Sequence, residues 1–124
     1  MTKTPHVLIV EDDEWMAEQH VRILSQAGFS AEVVVHAFAA IDAMDVRLPD
    51  AIILDFLLTG QNALVLLHEM QSHVDLASIP VILCTNSAAD IAGEELAAYG
   101  VVAVLDKTTM YPDDNIAAVR KALA

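Results

Sequence analysis

Cysteine occurs once in the 124 residues, and lysine and arginine together only six times. A single cysteine excludes an internal disulfide and a thiolate zinc cage, and its place inside Val81-Ile82-Leu83-Cys84 marks it for plain burial. Against the six basic residues stand eighteen acidic ones, for a net charge of −12. The phosphate backbone of a nucleic acid would be repelled, so direct nucleic-acid binding is not expected. No apolar run approaches the ~20 residues needed to cross a bilayer, which argues against a membrane span. Met1 to His6 leads straight into a short apolar run without a signal-peptide h-region, so cytoplasm is the expected compartment.

What is present points to a compact fold. Apolar residues make up 56 % of the chain, unlike a disordered segment. The length suits one core and not two, and no linker, internal repeat or low-complexity segment interrupts it, so residues 1–124 are expected to form one domain. Four short, nearly continuous apolar runs stand out: Val7 to Val10, Ala51 to Leu54, Val81 to Cys84 and Val101 to Leu105. Strands covered by helices on both faces of a parallel sheet have this character. A fifth run, Ala31 to Val35, carries Glu32 and reads as an edge strand. Helical spacing links Met16, His20, Leu24 and Ala27, then Ala63, Leu66, Leu67 and Met70, then Ile116, Val119 and Leu123. Gly28, Gly60 and Gly100 mark turns, and Pro112 suits the first turn of the last helix. The fourth helix has no clear start within Asn86 to Gly93. Strand followed by helix, five times over, predicts an α/β flavodoxin-like (βα)5 fold, a doubly wound parallel sheet of strand order 2-1-3-4-5.

In such sheets ligands bind beyond the carboxyl ends of the strands. Glu11-Asp12-Asp13-Glu14 follows the first run, Asp55 the third, Thr85 the fourth, and Asp106 with Lys107 the fifth. Each alone has an ordinary reading: acids as helix-dipole partners, Asp55 as a turn or cap residue, Lys107 as a solvated lysine. Their coincidence at successive strand ends is what carries weight. Lys107 is also the only lysine or arginine between Arg47 and Arg120. Two anions ~4 Å apart repel by about 4 kcal/mol at an effective dielectric near 20, and a hard cation relieves that. Glu11, Asp12 and Asp55 suit Mg2+, which takes one or two carboxylates plus waters and phosphate oxygens, better than Ca2+. One carboxylate can then act as nucleophile toward a phosphoryl group. Thr85 would hydrogen-bond a phosphoryl oxygen and Lys107 would neutralise another.

Over essentially its whole length the chain resembles the receiver domains of response regulators. Val7 to Asp13 looks like their first strand and acidic pair, Ala51 to Gly60 like their phosphoacceptor strand and loop, and Ile79 to Thr85 like their fourth strand with its hydroxyl residue. The resemblance implies receipt of a phosphoryl group on Asp55 from the phosphohistidine of a histidine kinase or phosphotransfer protein, with Mg2+ required. It implies self-catalysed dephosphorylation but no other enzymatic activity, and a shift of surface near the last two helices that is passed to a downstream protein. It further implies that the main-chain carbonyl of Leu57 completes the metal site. Three positions depart from the family. Thr108 follows Lys107 where proline after a cis peptide is usual, Asn86 follows Thr85 where a small residue is usual, and Val104 stands where an aromatic switch residue is common. They bear on signalling output more than on the chemistry.

Two other readings compete. A degenerate receiver would keep the fold and serve as a phosphorylation-independent binding module. A haloacid-dehalogenase-like Mg2+ phosphatase would need a second Asp two residues after Asp55, where Leu57 stands; a flavin-binding flavodoxin is disfavoured because Glu11 to Glu14 would repel the cofactor phosphate. The histidines at 6, 20, 36, 68 and 73 include no pair at i, i+4 and are assigned structural or surface roles. Trp15 is expected to anchor the first helix rather than pack beside the site, and Ala37 to Met44, with Phe38, Ile41 and Met44, to face the core rather than form a partner surface.

Overall fold

The computed structural model of the protein describes residues 4–55, 63–85, 96–107 and 112–124. Strands β1 (His6–Val10), β2 (Ser30–Val34), β3 (Ala51–Asp55), β4 (Val81–Thr85) and β5 (Val101–Asp106) alternate with helices α1 (Glu14–Gln26), α2 (Ala37–Val46), α3 (Ala63–Gln71), α4 (Val74–Ala77) and α5 (Pro112–Leu123). Leu96 and Ala97 are helical, and Asn86 to Gly93, where the sequence leaves the start of the fourth helix unclear, lies outside the described residues. The one-turn α4 has no counterpart in the sequence reading, because four residues are too few to display a helical period.

All pairings are parallel and the order is β2-β1-β3-β4-β5, as the alternation predicts. Every residue of β1, β3 and β4 is buried, which explains why those runs are apolar without alternation. The edge strand β2 is only partly covered, and Glu32 is its exposed residue. Side chains alternate between two cores. Leu8, Val10, Ile52, Leu54 and Leu83 pack under α2 and α3, against Met44, Leu66 and Met70. Val7, Ile9, Ile53, Ile82 and Cys84 pack on the other face, against Leu24 of α1 and Val119 of α5.

Local chemistry sets the element ends. Asp13 caps α1, its Oδ1 accepting from Met16 N at 3.0 Å. At the other end Phe29 N donates to Leu24 O and Gly28 N to Ser25 O, the paired bonds of a Schellman turn, and Gly28 adopts the required positive φ of 94°. His36 caps α2, its Nδ1 accepting from Ala39 N at 3.1 Å.

Two side chains depart from expectation. Trp15 is 64 % exposed and anchors nothing: nine residues before Leu24, it projects half a turn away from the buried face of Ala17, His20 and Leu24. In α2, Ala37, Ala40 and Met44 turn inward while Phe38 faces out. Asp42 and Asp45 are exposed on the same side of that helix, four and seven residues after Phe38, and carry Phe38 outward with them.

Candidate phosphoacceptor and metal site

Because the strands are parallel, their carboxyl ends share one edge of the sheet, and the residues after β1, β3, β4 and β5 meet there. Glu11 N donates to Val34 O at 3.0 Å, so pairing with β2 continues one residue past β1 and fixes the Glu11 backbone. Asp55 lies opposite Cys84, and the next β4 residue, Thr85, lies opposite Asp106. Lys107 N donates to Thr85 O at 2.8 Å, which carries the β4–β5 contact one residue beyond the strand and aims the lysine back over the edge.

The acidic run divides its labour. Glu11 is 2 % exposed and its Oε2 accepts from Asp13 N at 3.4 Å. Asp12 is half-buried, Asp13 is the helix cap, and Glu14 lies exposed in the first turn of α1. Helix capping and dipole partnership thus account for Asp13 and Glu14 only. Carboxylate oxygens of Glu11, Asp12 and Asp55 come within 4.8 Å of one another, the group of metal-capable side chains found among the described residues.

Lys107 Nζ reaches into this cluster, 2.9 Å from Asp55 Oδ1 and 3.2 Å from Glu11 Oε1. Among the described residues, one positive charge stands against three acids. Glu11 records the imbalance: burial, then the hydrogen bond and charge of Asp55, push its carboxyl up to about 7 against the pull of Lys107. Burial alone would lower the Lys107 ammonium, but its hydrogen bond to Asp55 and the charges of Glu11 and Asp55 outweigh it and hold the pKa above the usual value. Clustered, partly desolvated oxygen donors with surplus negative charge are what Mg2+ requires, so the residues present fit that ion. Leu57, whose carbonyl the resemblance adds to the set, lies outside the described residues, as do Asn86 and Thr108.

A buried polar bridge beside the site escaped the sequence reading. Asn115 of α5 is 1 % exposed, and its Nδ2 lies 2.8 Å from Nδ1 of the equally buried His20 on α1. With the amide nitrogen donating, the ring is neutral and carries its proton on Nε2. Burial, with Lys107 adding, lowers the His20 pKa to about 4 despite the opposing charge of Asp55. Cys84 Sγ approaches Asn115 Oδ1 at 3.9 Å, and burial pushes its thiol up to about 12, so it is the inert core residue expected. The available signal was position: Asn115 stands four residues before buried Val119, as His20 does before Leu24. The remaining described histidines are structural or superficial: His6 bonds Ser30, His36 caps α2, His68 meets the Tyr99 ring and His73 pairs with Glu69.

The five-stranded parallel fold is that of a receiver domain, and comparison with known proteins agrees. Residues 7–120 match the response regulator receiver domain, and the chain belongs to that family, which serves two-component signalling. It is 34 % identical over 85 residues to the sensory transduction protein RegX3 of Mycobacterium tuberculosis, covering 68 % of this chain but 36 % of RegX3. It is 29 % identical over 118 residues to protein Rrf1 of Nitratidesulfovibrio vulgaris, covering 95 % of this chain and 82 % of Rrf1. The signal receiver domain of a signal transduction histidine kinase from Syntrophus aciditrophicus superposes with a TM-score of 0.82 at 26 % identity, over 97 % of this chain and 90 % of that one. The chain therefore spans about a third of RegX3 and most of Rrf1. Among the described residues no helix is long and apolar enough to cross a membrane.

Proposed function

We propose that this domain receives a phosphoryl group on Asp55 from the phosphohistidine of a histidine kinase or histidine phosphotransfer protein, and signals through the resulting conformational change. The observation that carries the reading is Lys107 Nζ at 2.9 Å from Asp55 Oδ1, within a carboxylate cluster. An Asp55 oxygen attacks phosphorus, the bond from phosphorus to the donor nitrogen breaks, and its electron pair returns to the imidazole. Lys107 offsets negative charge on the transferring group as a point charge, and the Thr85 hydroxyl donates to a phosphoryl oxygen. Glu11, Asp12 and Asp55, with the main-chain carbonyl of Leu57, would hold Mg2+, which would supply positive charge to the phosphoryl oxygens when bound. Hydrolysis of the acyl phosphate at the same site ends the signal, and no other substrate is turned over.

Cytoplasm is the proposed compartment, and a protein the downstream partner, because a net charge of −12 opposes nucleic acid. Acetyl phosphate with Mg2+, followed by intact-mass spectrometry, tests the proposal. One phosphoryl adduct, absent from Asp55→Asn, is expected. Catalytic hydrolysis of other phosphomonoesters would favour a phosphatase, and absence of any adduct a phosphorylation-independent binding module.

A further inference from the structure

Helix α2 has two polar residues, Asp42 and Asp45, and Phe38 lies beside them on its exposed side. It has cover on one side only, and Phe38 stands 62 % exposed. Its neighbour α3 leaves Val65 47 % exposed on the facing flank. Between them runs a groove of about 380 Å3, with Ala37, Ile41 and Leu66 along its base and Phe38 and Val65 as its walls. Asp42 and Glu69, both exposed, border it. The groove contains none of the residues assigned to phosphoryl chemistry, and its two helices cover the sheet face opposite α1 and α5.

We propose that the α2–α3 groove is a docking site for a cationic amphipathic helix of a partner protein, whose apolar stripe enters between Phe38 and Val65 while lysines or arginines on its flanks meet Asp42 and Glu69. A channel between two packed helices accepts the ridge of a third, and anchors at i and i+3 or i+4 suit its walls. The border charges select the sign of the partner. A second copy of this chain in a two-fold arrangement would bring the same acidic border to the contact, on a molecule of net charge −12. An anionic bilayer or a nucleic acid meets the same repulsion.

The test titrates a synthetic helical peptide, leucines on one face and lysines on the other, into 15N-labelled protein at roughly physiological ionic strength, following backbone amides. Saturable shifts confined to α2 and α3 are expected. Phe38→Ala, which leaves the charge unchanged at an exposed position, should weaken Kd by about tenfold. Asp42→Asn with Glu69→Gln should weaken it and flatten its salt dependence, whereas Asp55→Asn should bind as the parent does, which separates this proposal from the phosphoryl one. Shifts that map instead to Glu11 to Glu14, or a Kd indifferent to Phe38→Ala, would overturn it as general attraction to an acidic surface. So would a concentration-dependent dimer in sedimentation that disappears in Phe38→Ala, since that assigns the groove to a second copy.

Discussion

Lys107 Nζ sits 2.9 Å from Asp55 Oδ1 although 52 residues separate them, and the same ammonium reaches Glu11 Oε1 at 3.2 Å. The only described cation in the cluster therefore bridges two buried carboxylates, and removing it leaves both uncompensated. Lys107→Met should destabilise the metal-free protein by on the order of 3 kcal/mol at pH 8. At pH 6 the loss should be smaller, because Glu11, already pushed up to about 7, can take a proton instead. Urea unfolding at the two pH values checks this; an equal loss at both would mean that Lys107 does not balance these carboxylates.

Metal binding should act on the same surplus charge. With a dissociation constant of about 1 mM, 10 mM Mg2+ adds roughly 1.4 kcal/mol by mass action, and Asp12→Ala should abolish the gain. The pH dependence has a definite sign. The Glu11 pKa is raised above its ordinary 4.5, so the metal-free folded state holds an extra proton between there and about 7, and its stability falls as pH rises through that window. The ion must displace that proton. Affinity should consequently rise roughly tenfold from pH 6 to pH 8, measurable by isothermal titration calorimetry at matched ionic strength. A flat profile, or a melting temperature that ignores Mg2+, would remove Glu11 from the ligand set.

His20 titrates with the opposite consequence. Its folded pKa of about 4 lies below the ordinary 6.5, so the unfolded chain takes the proton more readily. The contribution of neutral His20 is complete above pH 6.5 and is lost as pH falls toward 4, on the order of 3 kcal/mol in all. Replacing both partners, His20→Leu with Asn115→Leu, should flatten stability between pH 6.5 and 4 relative to the parent, without stranding either polar group. Parallel stability curves for parent and double variant over that window would show that burial does not keep His20 neutral.

The strands were legible because burial on both faces demands continuous apolar runs, and Val7 to Val10, Ala51 to Leu54 and Val81 to Cys84 each proved one residue short of the observed element. The gathering of Glu11, Asp12, Asp55 and Lys107 was legible for a related reason: parallel strands place all their carboxyl ends together, so residues just past each run become neighbours whatever their separation. The bond between His20 and Asn115 was not, because it pairs two helices 95 residues apart and neither side chain departs from its helix's spacing. Phe38 and Trp15 were misplaced for different reasons. Phe38 shares the outward side that Asp42 and Asp45 mark, and Trp15 lies just before the stripe on its own helix begins.

Val104 bears on how a signal could leave the site. It lies opposite Leu83 and packs, half-buried, against the core under α2 and α3. Where receiver domains carry an aromatic residue, a ring can turn into space vacated by the hydroxyl residue. The β-branched side chain of Val104 has one stiff torsion and no such reach. The last helix is also tied down, since Asn115 joins α5 to His20 of α1 inside the core. A displacement of Thr85 toward a phosphoryl group should therefore pass along the backbone that follows it and leave β5 and α5 nearly still. Beryllofluoride with Mg2+, at saturation of Asp55, supplies the mimic, and backbone amide shifts supply the measurement. Large changes are expected at Cys84, Thr85 and the residues after them as far as Asp90, with small ones at Ala103 to Leu105 and Ile116 to Leu123. Changes along those last two stretches as large as the first would defeat the idea, because an output route through β5 and α5 would then operate without an aromatic switch.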